Sequence, residues 1–345
     1  MVMHLPWLAE PLTTALATVR SHAVLVQGQA GIGQFELALA LASAWLCEAP
    51  SPQTGWACGA CGSCRLLRAH THPDLQLLVP EALRESLGLP ALNVDEHGEA
   101  KASKTKPSRE IKVDAVRGML AFAQATSSRG QAKVVVIFPA ESLNTVAANT
   151  LLKTLEEPAG QLRFVLASNA PEALLPTIRS RCQPFALGLP ARTPALAWLA
   201  EQGIDGPEVL LDATGGRPLE TRDWFNAGLR ATAWQQLPQR LARGDAQALA
   251  DWPPPRAIDA LQRLCHDLLR RTHSAPPSYF PLADLPQPTV GAPLLAWAAV
   301  LQQAARHAEH PLNAGLLIES LFAQGQAALR EAMPLNSSDA RPARQ

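Results

Sequence analysis

Apolar positions in the first half of the chain fall into short unbroken runs, separated by stretches of helical spacing. Residues 23–26 (Ala-Val-Leu-Val), 134–138 (Val-Val-Val-Ile-Phe) and 164–167 (Phe-Val-Leu-Ala) read as strands apolar on both faces, as in a parallel sheet covered by helices on either side. Residues 36–45 have helical composition. Residues 147–157 set Leu151, Leu152 and Leu155 at helical spacing until Pro158 stops the helix. This alternation predicts an α/β domain with a parallel sheet over residues 1–189.

The rhythm breaks over about 80–110, where Asp95-Glu96-His97-Gly98-Glu99 and then Lys101, Lys104 and Lys106 stand among small polar residues. That composition predicts a flexible surface insertion. Beyond Pro190 the strand signals fade, and Leu-, Ala- and Gln-rich stretches predict helices over 194–202, 257–271, 293–307 and 314–332. Two helical domains are expected, 190–245 and 246–333, with Trp252-Pro253-Pro254-Pro255 at their boundary. Residues 334–345 are small, polar and basic, and are expected to be a disordered tail.

A chain of 345 residues with 47% hydrophobic content can build two or three cores. Its 30 basic and 30 acidic side chains cancel, so no overall field draws it to nucleic acid or membrane. No run approaches the roughly 20 apolar residues of a membrane span. The first ten residues lack a basic region followed by a long apolar stretch. A cytoplasmic protein without a membrane partner is expected.

Four of the six cysteines crowd together. Cys58, Cys61 and Cys64 follow a C-x2-C-x2-C spacing, and Cys47 precedes them by ten intervening residues. Four soft ligands suit tetrahedral zinc, and Gly55, Gly59 and Gly62 let the backbone turn tightly enough for the sulfurs to converge. An iron–sulfur cluster and buried thiols are the alternatives, and His70 or His72 could replace one cysteine. A polar, glycine-rich loop would not bury three thiols, and no catalytic acid stands nearby. The favoured reading is a closed structural zinc site.

Residues 28–35, Gly-Gln-Ala-Gly-Ile-Gly-Gln-Phe, keep the frame of a phosphate-binding loop between the first strand and the helix after it. In G-x-x-x-x-G-K-[ST] the lysine reaches the β and γ oxygens and the hydroxyl holds magnesium. Here Gly28, Gly31 and Gly33 remain, but Gln34 and Phe35 replace those two side chains. An acidic pair would normally end the 134–137 strand, and Phe138-Pro139 stands there instead, with Glu141 displaced into the next turn. No bound ATP is expected.

Asn149-Thr150-Leu151-Leu152-Lys153-Thr154-Leu155-Glu156-Glu157-Pro158 and Leu175-Pro176-Thr177-Ile178-Arg179-Ser180-Arg181-Cys182 resemble signatures of the bacterial DNA polymerase III clamp-loader subunits, members of the AAA+ group. The resemblance covers residues 27–189, and the rest of the chain only in length and helical character. Motor subunits of that family keep the lysine and the acidic pair. The combination found here, a zinc module on a degenerate loop, is similar to a non-motor branch.

That resemblance implies an AAA+ P-loop-type α/β domain with an inserted zinc module at about 47–64, then a helical lid and an all-α collar that oligomerises. It implies no ATPase of the chain's own. Arg181, flanked by Ser180 and Cys182, becomes an arginine finger for a neighbour's ATP, a role suited to a planar, permanently charged guanidinium. Arg217 resembles a lid-domain arginine that senses nucleotide, although with the loop degenerate a packing role is expected of it. The implied partners are gamma or tau, delta, and, through the complex, the β sliding clamp and primer-template DNA. Two other readings are an active NTPase with a variant loop and a zinc-dependent nucleic-acid-binding protein. Zero net charge and few aromatics near the cysteines weigh against the second.

Overall fold

Five parallel strands, in the order β2-β3-β4-β1-β5, form the centre of the first of two units of the chain. They are β1 (Ala23–Gln27), β2 (Leu75–Leu78), β3 (Lys133–Ile137), β4 (Leu162–Ser168) and β5 (Gln183–Ala186). The computed structural model describes residues 5–90, 107–250, 252–307 and 314–333. The units are Met1–Ala195 and Leu196–Gln345.

Helices α1 (Ala9–Thr18), α2 (Gln34–Leu46), α3 (Gly62–Arg68), α4 (Val113–Gln124), α5 (Thr145–Glu156) and α6 (Pro176–Arg179) accompany the sheet. Register explains why the central strands are apolar throughout. Leu25 pairs with Leu166, and Val135 with Phe164. These residues point to one face and pack with Met119 of α4 and with Leu151 and Leu155 of α5. Their alternates Val24, Val26, Val134, Val136 and Val165 are fully buried on the other face, where α2 packs on β3 and β4. Each large side chain taken from water there is worth roughly 1.5–3 kcal/mol.

The three strands expected from the sequence form, with ends that move by one or two residues: β1 gains Gln27, β3 gains Lys133 but stops before Phe138, and β4 gains Leu162, Arg163 and Ser168. β2 and β5 lie at the sheet edges, partly exposed, and β5 carries Pro184. An edge strand with a proline gives no apolar run to read. Residues 91–106 of the expected insertion, with all its named charges, lie outside the described residues. At its flanks the Ala82 N–H donates to Ser108 O at 3.1 Å, so the segment leaves and returns at neighbouring points.

Helix α7 (Arg192–Glu201) contains the division between the units. Among its described residues the second unit is helical: α8 (Pro207–Ala213), α9 (Pro218–Asn226), α10 (Ala231–Arg243), α11 (Pro254–Thr272), α12 (Ala292–Arg306) and α13 (Ala314–Ala332). Pro254 and Pro255 begin α11, where a missing N–H costs nothing. Trp234 is fully buried, stacks on Phe280 at 4.4 Å and donates its indole N–H to Tyr279 O. Buried Arg263 of α11 pairs with Glu220 of α9 and with Asp259, and donates to Ala213 O of α8. One guanidinium thus joins three helices. The expected tail, 334–345, lies outside the described residues. No helix among the described residues is long and apolar enough to cross a membrane.

Candidate functional site

The loop after β1 closes on itself through the residue that stands where a lysine would. Gly33 caps α2 at φ 108°, a left-handed conformation that favours glycine. Gly28 lies so close to the chain beyond β5 that an added Cβ would meet Leu187 O at 2.7 Å. Gln34 is buried, and its amide donates to Gln29 O at 2.5 Å and to Asn169 Oδ1 at 3.0 Å. Asn169, just past β4, in turn donates its backbone N–H to Glu141 Oε1 at 3.0 Å. The neutral Gln34 amide therefore pins the loop to the end of the sheet. Phe35 is buried, and its ring centroid lies 5.1 Å from that of Phe138. Neither ring offers oxygen to a metal ion.

The cysteines come together from α2 and α3. Cys47 follows the last turn of α2, Cys61 caps α3 and Cys64 lies in its first turn. All four Sγ atoms lie within 4.8 Å of one another, with Cys47–Cys61 and Cys58–Cys64 at 3.9 Å and Cys47–Cys64 at 3.7 Å. Four sulfurs at about 2.3 Å from a tetrahedral ion would stand about 3.8 Å apart. The spacing fits, and these four residues could hold a metal ion.

Backbone N–H groups already face the sulfurs. Those of Ala60 and Cys61 point at Cys58 Sγ and hold its thiol down at about 6. Burial pushes Cys64 the other way, up to about 12. A cation among them would favour the thiolate at every position. The ligand atoms that come together are those of the four cysteines and do not include His72, whose Nδ1 accepts from the Asp74 N–H at 3.1 Å.

A polar brace fixes this module to the sheet. Glu48 Oε1 accepts from the Ser63 N–H and hydroxyl and from Arg129 Nε and Nη2, at 2.5–3.1 Å. Hydrogen bonding from Arg129 and then Ser63 holds the Glu48 carboxyl down at about 2. Fully buried Asp74, just before β2, accepts from Ser127 Oγ, Ser128 N and Arg129 N. Nothing in the spacing of Glu48, Asp74 and Arg129 announces this brace, because its members come from three separate stretches of chain.

Arg181 lies just beyond α6, and its guanidinium is held by the end of α5. Nε donates to Glu156 Oε1 at 2.5 Å, Nη2 contacts the same oxygen, and Nη1 donates to Thr177 O at 2.9 Å. Its side chain remains 33% exposed. Ser180 hydroxyl donates to Thr177 O, and Cys182 is buried in the core, its thiol pushed up to about 12 by burial. The two motifs that carry the resemblance thus meet in one ion pair. Arg217 donates to Thr214 O and pairs with Glu220, a packing arrangement within the helical unit.

A family model described as "DNA polymerase III, delta subunit" matches residues 8–190, which span the loop, the cysteines and Arg181. Proteins named DNA polymerase III subunit delta' share 39% identity over 214 residues in Pseudomonas aeruginosa and 34% over 284 residues in Escherichia coli K12. The chain belongs to the DNA polymerase III delta-prime family.

The Pseudomonas alignment covers 61% of this chain and 57% of that one, and the Escherichia coli alignment 78% and 77%. The chain therefore spans little more than half the length of the first relative. DNA polymerase III subunit tau of Escherichia coli K12 is 33% identical over 183 residues, covering 52% of this chain and 24% of tau. With the parallel sheet, the loop after its first strand and the four-cysteine module, the first unit is an AAA+ P-loop-type domain of the clamp-loader family.

Proposed function

We propose that the chain is a non-hydrolysing subunit of a DNA polymerase III clamp loader, supporting ATP-dependent loading of the β sliding clamp on primed DNA. The observation that carries this reading is the Phe35–Phe138 pair, apolar where magnesium ligands would stand. The chemistry then belongs to a neighbour of the gamma or tau type, and Arg181 acts on that neighbour's ATP in trans. A guanidinium supplied in this way to a phosphoryl transfer contributes roughly 10³ to 10⁵ in rate in other systems.

Residues 190–245 would serve as the lid and 246–333 as the collar that meets gamma or tau and delta. The clamp and primer-template DNA are reached through the assembled complex. Cys47, Cys58, Cys61 and Cys64 would hold a structural zinc, which supplies folding energy to the loop between α2 and α3. Thiolate spacing and converging N–H groups support that assignment. The expected cellular site is the cytoplasm.

The test is a complex reconstituted with Arg181→Ala. Assembly is expected to persist while clamp- and DNA-stimulated ATPase falls, by roughly 10³-fold or more at the site this arginine serves. Normal turnover by that complex would refute the trans role. Micromolar Mg-ATP binding by the isolated chain would favour the variant-loop NTPase instead.

A further inference from the structure

Arg181 is occupied within its own chain. A guanidinium carries five N–H groups. Nε and Nη2 converge on Glu156 Oε1, and Nη1 faces Thr177 O and, at 3.4 Å, Ser180 Oγ. These contacts take the Nε–Nη2 fork, one of the edges able to grip two phosphate oxygens. They also set a carboxylate where a phosphate would have to come.

The backbone beneath this pair is fixed. Leu151 and Leu155 of α5 are buried in one core with Ile178 and Cys182, on either side of the arginine. The ion pair itself lies above that core, with Glu156 46% and Arg181 33% exposed. Side chains can exchange partners there while the helices stay in place.

We infer that Glu156 is an exchangeable counter-ion for Arg181, a carboxylate that a neighbouring subunit's nucleotide phosphate must displace before the guanidinium can act. The inference rests on the trans role proposed for Arg181. Glu156 is then a positioning residue, acting only through the arginine. An exposed pair of this kind is weak enough to be exchanged: its removal is expected to change an equilibrium by about two- to fivefold.

The experiment is a double-mutant cycle in the reconstituted clamp-loader complex, with Glu156→Gln, Arg181→Ala and the two combined, reading kcat and KM for ATP with clamp and primed DNA. Glu156→Gln is expected to raise kcat/KM by about two- to fivefold, and to change nothing once Arg181 is alanine. An unchanged or lowered kcat/KM in Glu156→Gln, or an equal effect with and without Arg181, overturns the counter-ion role while leaving the arginine finger standing. Normal turnover in Arg181→Ala overturns both. Glu156→Asp, which keeps the charge but shortens the reach, is expected to move kcat/KM in the same direction by less. It replaces the amide variant if that one fails to assemble.

Discussion

The rings of Phe35 and Phe138 lie 5.1 Å apart, tilted by 31°, and so join the start of α2 to the end of β3. The two positions that would share a magnesium ion in an active loop are here held together by apolar contact.

That contact makes the loop's chemistry hard to restore in steps. Gln34→Lys with Phe35→Thr is expected to gain no Mg-ATP affinity by titration calorimetry, because residue 138 still supplies no carboxylate. Phe35→Ala should lower unfolding free energy by about 3 kcal/mol, the usual cost of emptying a buried aromatic site.

Metal removal should expose an ordered set of thiols. In chelator, iodoacetamide is expected to reach exposed Cys58 first, at a rate that rises through about pH 6, and buried Cys64 last. With zinc bound all four should be protected, and peptide mass mapping would show both patterns. Reaction of Cys58 only as pH passes the ordinary thiol range near 8.5 would contradict the N–H contacts at its sulfur.

Glu48 should show itself in acid. Its carboxyl is held near 2 when folded against an ordinary 4.5, so the folded state favours the charged group. The stabilisation is therefore present above about pH 4.5 and is lost as pH falls toward 2. The difference in urea midpoint between wild type and Glu48→Gln, both in chelator, should narrow across that window. A constant difference would mean that the brace with Arg129 and Ser63 does not depend on the charge.

In the helical unit, fully buried Asp267 accepts from the backbone N–H groups of Ser278, Tyr279 and Phe280 at 2.7–2.9 Å. Asp267→Ala strands three donors and should cost about 3 kcal/mol or more in a denaturant titration.

Gly325 of α13 faces Trp297 of α12, where an added Cβ would run into the indole ring. Gly325→Ala is expected to destabilise by about 1–3 kcal/mol through overpacking, although alanine is the better helix former. Thermal denaturation would show which effect wins.

The sequence by itself determined the central sheet and the donor sets. Strands buried on both faces must be apolar throughout, so 23–26, 134–137 and 164–167 were legible in one dimension, although the apolar run carried the second strand one residue too far, to Phe138. The cysteine spacing and the substitutions Gln34, Phe35 and Phe138 were legible for the same reason, since each is a choice of residue type at a fixed offset. The edge strands Leu75–Leu78 and Gln183–Ala186 were not, because half-exposed edges carry little apolar signal. Only the tertiary structure decided which polar groups meet. Glu156 with Arg181, Gln34 with Asn169, and Glu48 with Arg129 are separated by 25, 135 and 81 residues. Such partners are chosen by how helices close over the sheet, and no local spacing records that closure.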